Sequence, residues 1–523
     1  MELMWIASLL AVASPAEPVG APWLVPVARI AVEHAEIPAF DPTTRGVFVA
    51  AGGVVATMEL TPEGELKPGP AIDVAAAAGF PAGVQGEISH IAIDPRGRGF
   101  LAATVIPSER STLRGRVVFV STRDHSTLAA VEVGFQPDGC EFATDGRCIV
   151  VVNEGEPTIL PGSPPTVVDP PGSISVIDLA SITVAGDFEK LDASAATTYD
   201  VSGDDLDLAA TRIHPFNAQR AQLDLEPESV AIADQRAYVT FQENSALGVF
   251  DLAARKWLIL SPLAPLAREF DASDRDGGIH IDSAIEAWPM PDQIAIARVP
   301  QADGSERVVL VVANEGDDRG DVYESASPLA DSARVGDLRA RGRIATSVPP
   351  ALDRCKVDAH HGDLDGDGVI EHPYALGARS VSIHDARTLE RLGDTASKFE
   401  RETANACPTA FNADGKAAAL KVDARSDDAG PEPEGVRTIR IDDRAWAIVT
   451  LERPGVIALV DVSEPTHPQV AGLACVALGG DLAPEGLTIV PAQNSPLGDA
   501  LVFVAYEGSG AVVVYRLRPP RSL

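Results

Sequence analysis

Nine consecutive residues, Asp363-Leu364-Asp365-Gly366-Asp367-Gly368-Val369-Ile370-Glu371, carry the most specific chemical pattern in the chain. Carboxylates at alternate positions followed by glycine let a backbone wrap a hard cation, with oxygens offered from the first, third and fifth positions as in calcium loops. Tyr374 stands where a full EF-hand loop has its bidentate glutamate, and Glu371, three residues earlier, is the substitute that the spacing offers. The pattern predicts calcium on Asp363, Asp365, Asp367 and Glu371; the alternative is an acidic surface turn. A looser group, Asp271, Asp274 and Asp276 around Gly277-Gly278, reads as a turn ahead of a cation loop.

A second set of carboxylates recurs with the chain's repeats. Asp138, Glu228, Asp292, Glu434 and Glu485 each begin an apolar run, and Glu154, Glu243, Glu315, Glu452 and Glu507 each close the run that follows. Equivalent positions in repeats occupy equivalent places in the fold, so at least one of these sets should face an open end or a central channel. There they would repel one another unless arginines or cations neutralise them. Two chemistries follow: a cation-binding funnel, or carboxylates that bond backbone N–H groups and fix the edges of the repeats.

The elements that position these residues are short strands. From Val436 to Ile441, Ala445 to Leu451 and Val456 to Val462 the runs are rich in Val and Ile and bounded by Asp442-Asp443 and Pro454-Gly455, which reads as a three-stranded meander. The same order returns after Pro484-Glu485-Gly486, after Pro227-Glu228-Ser229, after Pro137-Asp138-Gly139 and after Pro291-Asp292-Gln293, with weaker copies at Gly86-Glu87-Ile88 and Val47 to Leu60. Units that cannot bury their faces alone must stack on one another, and meanders stack radially. The expectation is an all-β chain: a single β-propeller of WD40- or YVTN-like repeats over residues 24–518. About seven blades of three to four antiparallel strands fit, with long loop insertions, the largest at about 332–420, and a last strand that closes the ring against early sequence.

The net charge of −34 disfavours nucleic acid and anionic membrane as partners. Residues 1–16, MELMWIASLLAVASPA, have an apolar centre and small residues at Ser14 and Ala16, which read as a signal peptide although Glu2 stands where a basic residue is usual. No other stretch reaches membrane-spanning length, so a secreted or periplasmic protein is expected. Of the five cysteines, Cys355 and Cys407 flank the largest insertion and either close it or stay as buried thiols, while Cys140 and Cys148 share one hairpin without facing each other.

Several segments together resemble the choice-of-anchor I family of exported bacterial proteins, related to the mesenchyme-specific cell-surface glycoprotein. They are VVNEGEP at Val151 to Pro157, LEPESVAI at Leu225 to Ile232, AYVTFQENSALGVFDL at Ala237 to Leu252, SDRDGGI at Ser273 to Ile279 and ANEGDDRG at Ala313 to Gly320. The DLDGDG loop, ARSVSI at Ala378 to Ile383, RSDDAGPEPEGV at Arg425 to Val436 and the run from Pro484 to Leu517 complete the set. The resemblance implies a propeller outside the cytoplasm, often tethered by a C-terminal anchor that is not expected here, and some members are named alkaline phosphatases.

Two functions are therefore expected in order. The first is an exported calcium-binding propeller that binds an extracellular ligand or surface component. The second is a metal-dependent phosphatase acting on a phosphoester, with funnel carboxylates holding the metals and Arg319 and Arg425 clamping the phosphate. His360-His361, His90, His214 and His280 read as structural, and no nucleophile elbow or phosphate loop is present.

Overall fold

The computed structural model describes residues 23–160, 166–191, 195–202, 206, 208, 211–301, 303–319, 330–416 and 420–520. The expected signal peptide lies outside the described residues. Seven antiparallel sheets follow one another along the chain, each with its first strand innermost. Their innermost strands are Ala35–Asp41 (blade 1), Gly86–Ile93 (blade 2), Pro137–Phe142 (blade 3), Pro227–Ala233 (blade 4), Pro291–Pro300 (blade 5), Pro433–Ile441 (blade 6) and Pro484–Val490 (blade 7). Each packs against the next, and blade 7 packs against blade 1, so the ring closes around a central channel. The outermost strand of blade 7 is Leu24–Ala31, which pairs antiparallel with Ala511–Leu517 from Leu24 opposite Leu517 to Ala31 opposite Ala511. The two ends of the chain thus share one sheet, as the repeat pattern predicted.

Because both faces of every blade are covered by neighbours, the middle strands are apolar throughout rather than alternating. Arg444–Leu451 is buried at every position after its first residue. Phe40 of blade 1 stacks on Phe503 of blade 7 with ring centroids 5.3 Å apart, and Trp446, Leu487 and Tyr506 fill the space between blades 6 and 7. Prolines open five of the seven inner strands, where the missing N–H costs no ladder bond.

The stretch expected as one insertion at 332–420 is divided. Ser380–Asp385 and Arg391–Asp394 are the third and fourth strands of blade 5, paired to Glu306–Asn314 and to each other. What precedes them folds into a satellite sheet in the order Leu266–Phe270, Ser283–Trp288, Tyr374–Leu376, Lys356–Asp358, Ser332–Arg334. It has a core of its own around Phe270, Ile285, Leu338, Ile344, Val357 and Ile370. Buried ion pairs join it to the propeller: Arg212, just before blade 4, reaches Asp358 at 2.7 Å and Asp331 at 3.2 Å.

Cys355 and Cys407 do not pair. Cys355 is a buried thiol in the satellite core, whereas the helix Lys398–Ala406 packs on the outer strand of blade 6 and delivers Cys407 to a disulfide with Cys475. Of the two readings left open, the buried thiol holds for Cys355, which the satellite sheet carries away from blade 6, while Cys407 takes a partner that the sequence did not single out. Cys140, Cys148 and Cys355 are free. Thiol titration of denatured, unreduced protein should give three thiols per chain. Reduction should cost about 4 kcal/mol of stability, the chain-entropy value for a 68-residue loop; a count of five, or unchanged denaturation on reduction, would contradict the pairing.

Candidate functional site

The acidic residues of the inner strands are aimed by a shared irregularity. In six of the seven inner strands the ladder slips by one residue directly after the first paired position, between Ala35 and Pro38, Pro137 and Cys140, Pro227 and Val230, Pro291 and Ile294, Pro433 and Val436, and Pro484 and Leu487. Such a bulge turns its residues out of the regular alternation and re-aims their side chains. The bulged residues include Glu36, Asp138, Glu228, Asp292, Glu434 and Glu485. Blade 2 carries its slip later, between Ile88 and His90, so Glu87 stays in regular pairing and is exposed. Gly435 and Gly486 follow two of the acids because a Cβ there would stand 2.5 Å from the Glu485 carbonyl oxygen and 2.4 Å from that of Glu36, the next blade's backbone.

All seven blades therefore contribute a carboxylate at the second position of the inner strand. Glu36 and Glu87 were missed in the sequence because Ala35 and Gly86 replace the proline that marks the other five; position in the repeat was the available signal. That the acids converge is plain from their mutual influence across the axis: Asp292 of blade 5 feels Asp138 of blade 3 and Glu485 of blade 7. Beyond them the channel is lined by every inner strand, including His90, Glu141 and Arg437.

Burial, then repulsion by neighbouring carboxylates, makes these groups poor acids. Glu36 is pushed up to about 9, by burial first and then by Glu485 and Glu87. Burial raises Asp138 to about 7, and burial with Glu507 and Glu452 raises Glu485 to about 8. Glu228, Asp292 and Glu434 are shifted well upward, again by burial first. One oxygen each of Asp292, Glu434 and Glu485 is buried with no hydrogen-bond partner.

The second set stands at the same mouth, in the turns after the second strands. Glu243 is raised to about 8 by burial, and Glu154 and Glu315 rise well above the usual range for the same reason. Basic groups meet part of this set. Lys416 lies 3.0 Å from Glu452 and 2.5 Å from Glu507, bridging blades 6 and 7. Arg453 binds Glu432 at 2.6 Å and Glu452 at 2.7 Å.

The two arginines expected to clamp an anion are engaged. Arg319 is 2% exposed and its Nε donates to both oxygens of Glu226 at 3.1 and 3.0 Å. Arg425 holds Glu432 at 2.5 Å and Asp428 at 3.1 Å. Glu226, Glu432, Lys416 and Arg453 were not singled out from the sequence, since their role depends on which turns meet at the mouth.

Two carboxylate trios are gathered here, Glu154 with Glu226 and Glu243, and Glu315 with Glu434 and Glu452; within each, ligand oxygens lie within 4.8 Å of one another. A third cluster is the Asp363 loop between two inner strands of the satellite sheet, Lys356–Asp358 and Tyr374–Leu376, where Asp363, Asp365, Asp367 and Glu371 meet the same limit. There Asp363 accepts from the N–H groups of Gly366 at 2.7 Å and Gly368 at 2.8 Å, which hold its carboxyl below the usual range. Glu371 reaches back to the Leu364 N–H at 2.8 Å. The Asp271 group is a turn: Asp271 accepts from the His280 N–H at 2.7 Å, and Asp274 pairs with Arg354 at 2.7 Å. His361 bonds Asp358 at 2.9 Å and His360 the Ala330 carbonyl at 2.8 Å, so both anchor the loop they sit in.

Fold and site together define a seven-bladed β-propeller with an acidic channel mouth. The family description Choice-of-anchor I domain matches residues 36–465, and the chain belongs to that family. Over 185 residues it is 28% identical to Gigasin-3a of Magallana gigas, a match covering 32% of this chain and 65% of that protein, just under two thirds of its length. Among solved structures it is similar to Kuenenia stuttgartiensis hydrazine synthase, at 12% identity and a TM-score of 0.46 over 94% of this chain and 97% of that one. It is also similar to the β-propeller domain of Myceliophteria thermophila Cps50 (Swd1), at 9% identity and a TM-score of 0.44 over 94% and 99%. Choice-of-anchor domains are typically extracellular or at the cell surface. Among the described residues no helix is long and apolar enough to cross a membrane.

The raised carboxyls set a pH dependence. Glu485, Glu243 and Asp138 hold protons in the folded protein up to about 8, 8 and 7, whereas the unfolded chain releases them near pH 4. Their contribution to stability is therefore complete below about pH 4 and is lost as pH rises through 7 to 8. In buffer with chelator the melting temperature should fall between pH 5.5 and pH 8.5; a flat or rising profile would show that the carboxyls are not raised.

Proposed function

We propose that the protein is an exported calcium-binding β-propeller that acts as a ligand- or partner-binding module. The observation that carries the reading is the Asp363 loop, whose four carboxylates lie within 4.8 Å of one another while loop N–H groups already orient Asp363 and Glu371. Repulsion among them is relieved by a cation, and an all-oxygen set in a glycine-bearing loop suits calcium. Glu371 takes the closing role that Tyr374 cannot fill. Export is supported by the apolar leader at 1–16 and by the family's usual place outside the cell.

An extracellular surface component is the class of ligand that this placement implies. The alternative of a metal-dependent phosphatase needs basic groups free to hold a phosphate. Arg319 and Arg425 are committed to carboxylates, so the geometry favours binding over catalysis.

Calorimetry and thermal unfolding test the loop. Wild type should gain about 2.7 kcal/mol of stability at calcium a hundredfold above its Kd, and Asp365→Ala should bind at this site at least tenfold more weakly while keeping the propeller's circular dichroism. Identical binding and melting of the two proteins, with calcium and with chelator, would leave the loop an acidic turn. Mass spectrometry of material from outside the cytoplasm should lack about the first sixteen residues, as signal cleavage demands; an intact Met1 in the cytosol would oppose export.

A further inference from the structure

Blades 5 and 6 bring a further group of carboxylates together at the channel mouth, apart from the Asp363 loop. Glu315 follows the second strand of blade 5, Glu434 heads blade 6 and Glu452 follows its second strand; their oxygens lie within 4.8 Å of one another. Glu315 and Glu452 are 8% and 3% exposed, so water does little to screen them. Asp292, at the head of blade 5, is 6% exposed and has a buried oxygen with no hydrogen-bond partner. Its charge is the strongest of those acting on Glu315. One oxygen of Glu434 is orphaned in the same way.

Among the described residues, the protein's own side chains meet Glu315 and Glu452 but not Glu434 or Asp292. Gln242 donates to Glu315 at 2.8 Å, and Lys416 and Arg453 take Glu452. Among the described residues no ion pair reaches Glu434 or Asp292. In the other trio Arg319 donates to both oxygens of Glu226.

We propose that Glu315, Glu434 and Glu452, with the unpartnered carboxylate of Asp292 beside them, hold one calcium ion at the channel mouth. Carboxylate oxygens alone select a hard cation over zinc or copper, and carboxylates drawn from two blades suit calcium's larger, more flexible shell better than magnesium's octahedron. The ion would bond the inner edges of blades 5 and 6 across their interface, giving the channel mouth a site that an anionic ligand group can meet.

The test is calcium titration of the full mature chain by calorimetry, with metal content by mass spectrometry. Wild type should bind at least two ions, and Asp365→Ala/Asp367→Ala should lose the loop ion while keeping the channel ion. Glu434→Gln and, separately, Asp292→Asn should weaken the channel ion at least tenfold and leave the loop ion unchanged. In chelator both amide variants should melt no lower than wild type, because an amide neither repels the neighbouring carboxylates nor needs a proton to avoid doing so, which serves as the folding control. If the loop assignment alone is wrong, wild type binds calcium only at the site that Glu434→Gln disables. The inference is overturned if the loop double variant binds no calcium, or if Glu434→Gln and Asp292→Asn both bind as wild type does.

Discussion

Repulsion among carboxylates gathered at one end of the channel is the term that the remaining structure must offset. Seven inner strands present an acid at the same position, and five turns add another. Buried carboxylates without partners are costly, and a cluster of them compounds the cost. The ring can hold them because it has no free end: Leu24–Ala31 is laced into blade 7 beside Ala511–Leu517, so spreading the mouth means breaking a strand pair or an inter-blade core.

The offset takes two forms around the mouth. At blades 6 and 7, Lys416 and Arg453 tie Glu432, Glu452 and Glu507 together, and beside blade 4 Arg319 lies among Asp224 and Glu226. These pairs fix turns to one another. Elsewhere, at Asp292, Glu434 and Glu485, protonation of the free protein relieves part of the repulsion, and a divalent ion would relieve more of it while drawing the blades together. The satellite sheet repeats the theme with another outcome: buried Arg212 between Asp331 and Asp358 anchors the sheet, leaving the Asp363 loop facing solvent.

Much of this was legible in sequence because propellers repeat. The Pro-acid-Gly opening of blades 3, 6 and 7 names strand, bulge and channel acid at once, and the runs after it give the middle strands. Glu36 went unread, and Glu87 was left out of the acid set although its copy of the repeat was recognised, because neither follows the proline that marks the other five. The disulfide and the division of the 332–420 stretch were illegible for a different reason: both depend on where a non-repeating sheet sits against blades 5 and 6, which no periodicity encodes. Arg319 and Arg425 illustrate the same limit. Their type suits an anion clamp or an ion pair equally, and only the position of Glu226, Asp428 and Glu432 decides.

The most direct test of a cation-dependent channel mouth is anomalous diffraction from crystals of the mature protein grown with terbium in place of calcium, since lanthanides share its preference for hard oxygen ligands. The account predicts an anomalous peak between Glu315, Glu434 and Glu452 and a separate one within the Asp363 loop. A map with no peak at the channel mouth, and those carboxylates still facing one another, would contradict it.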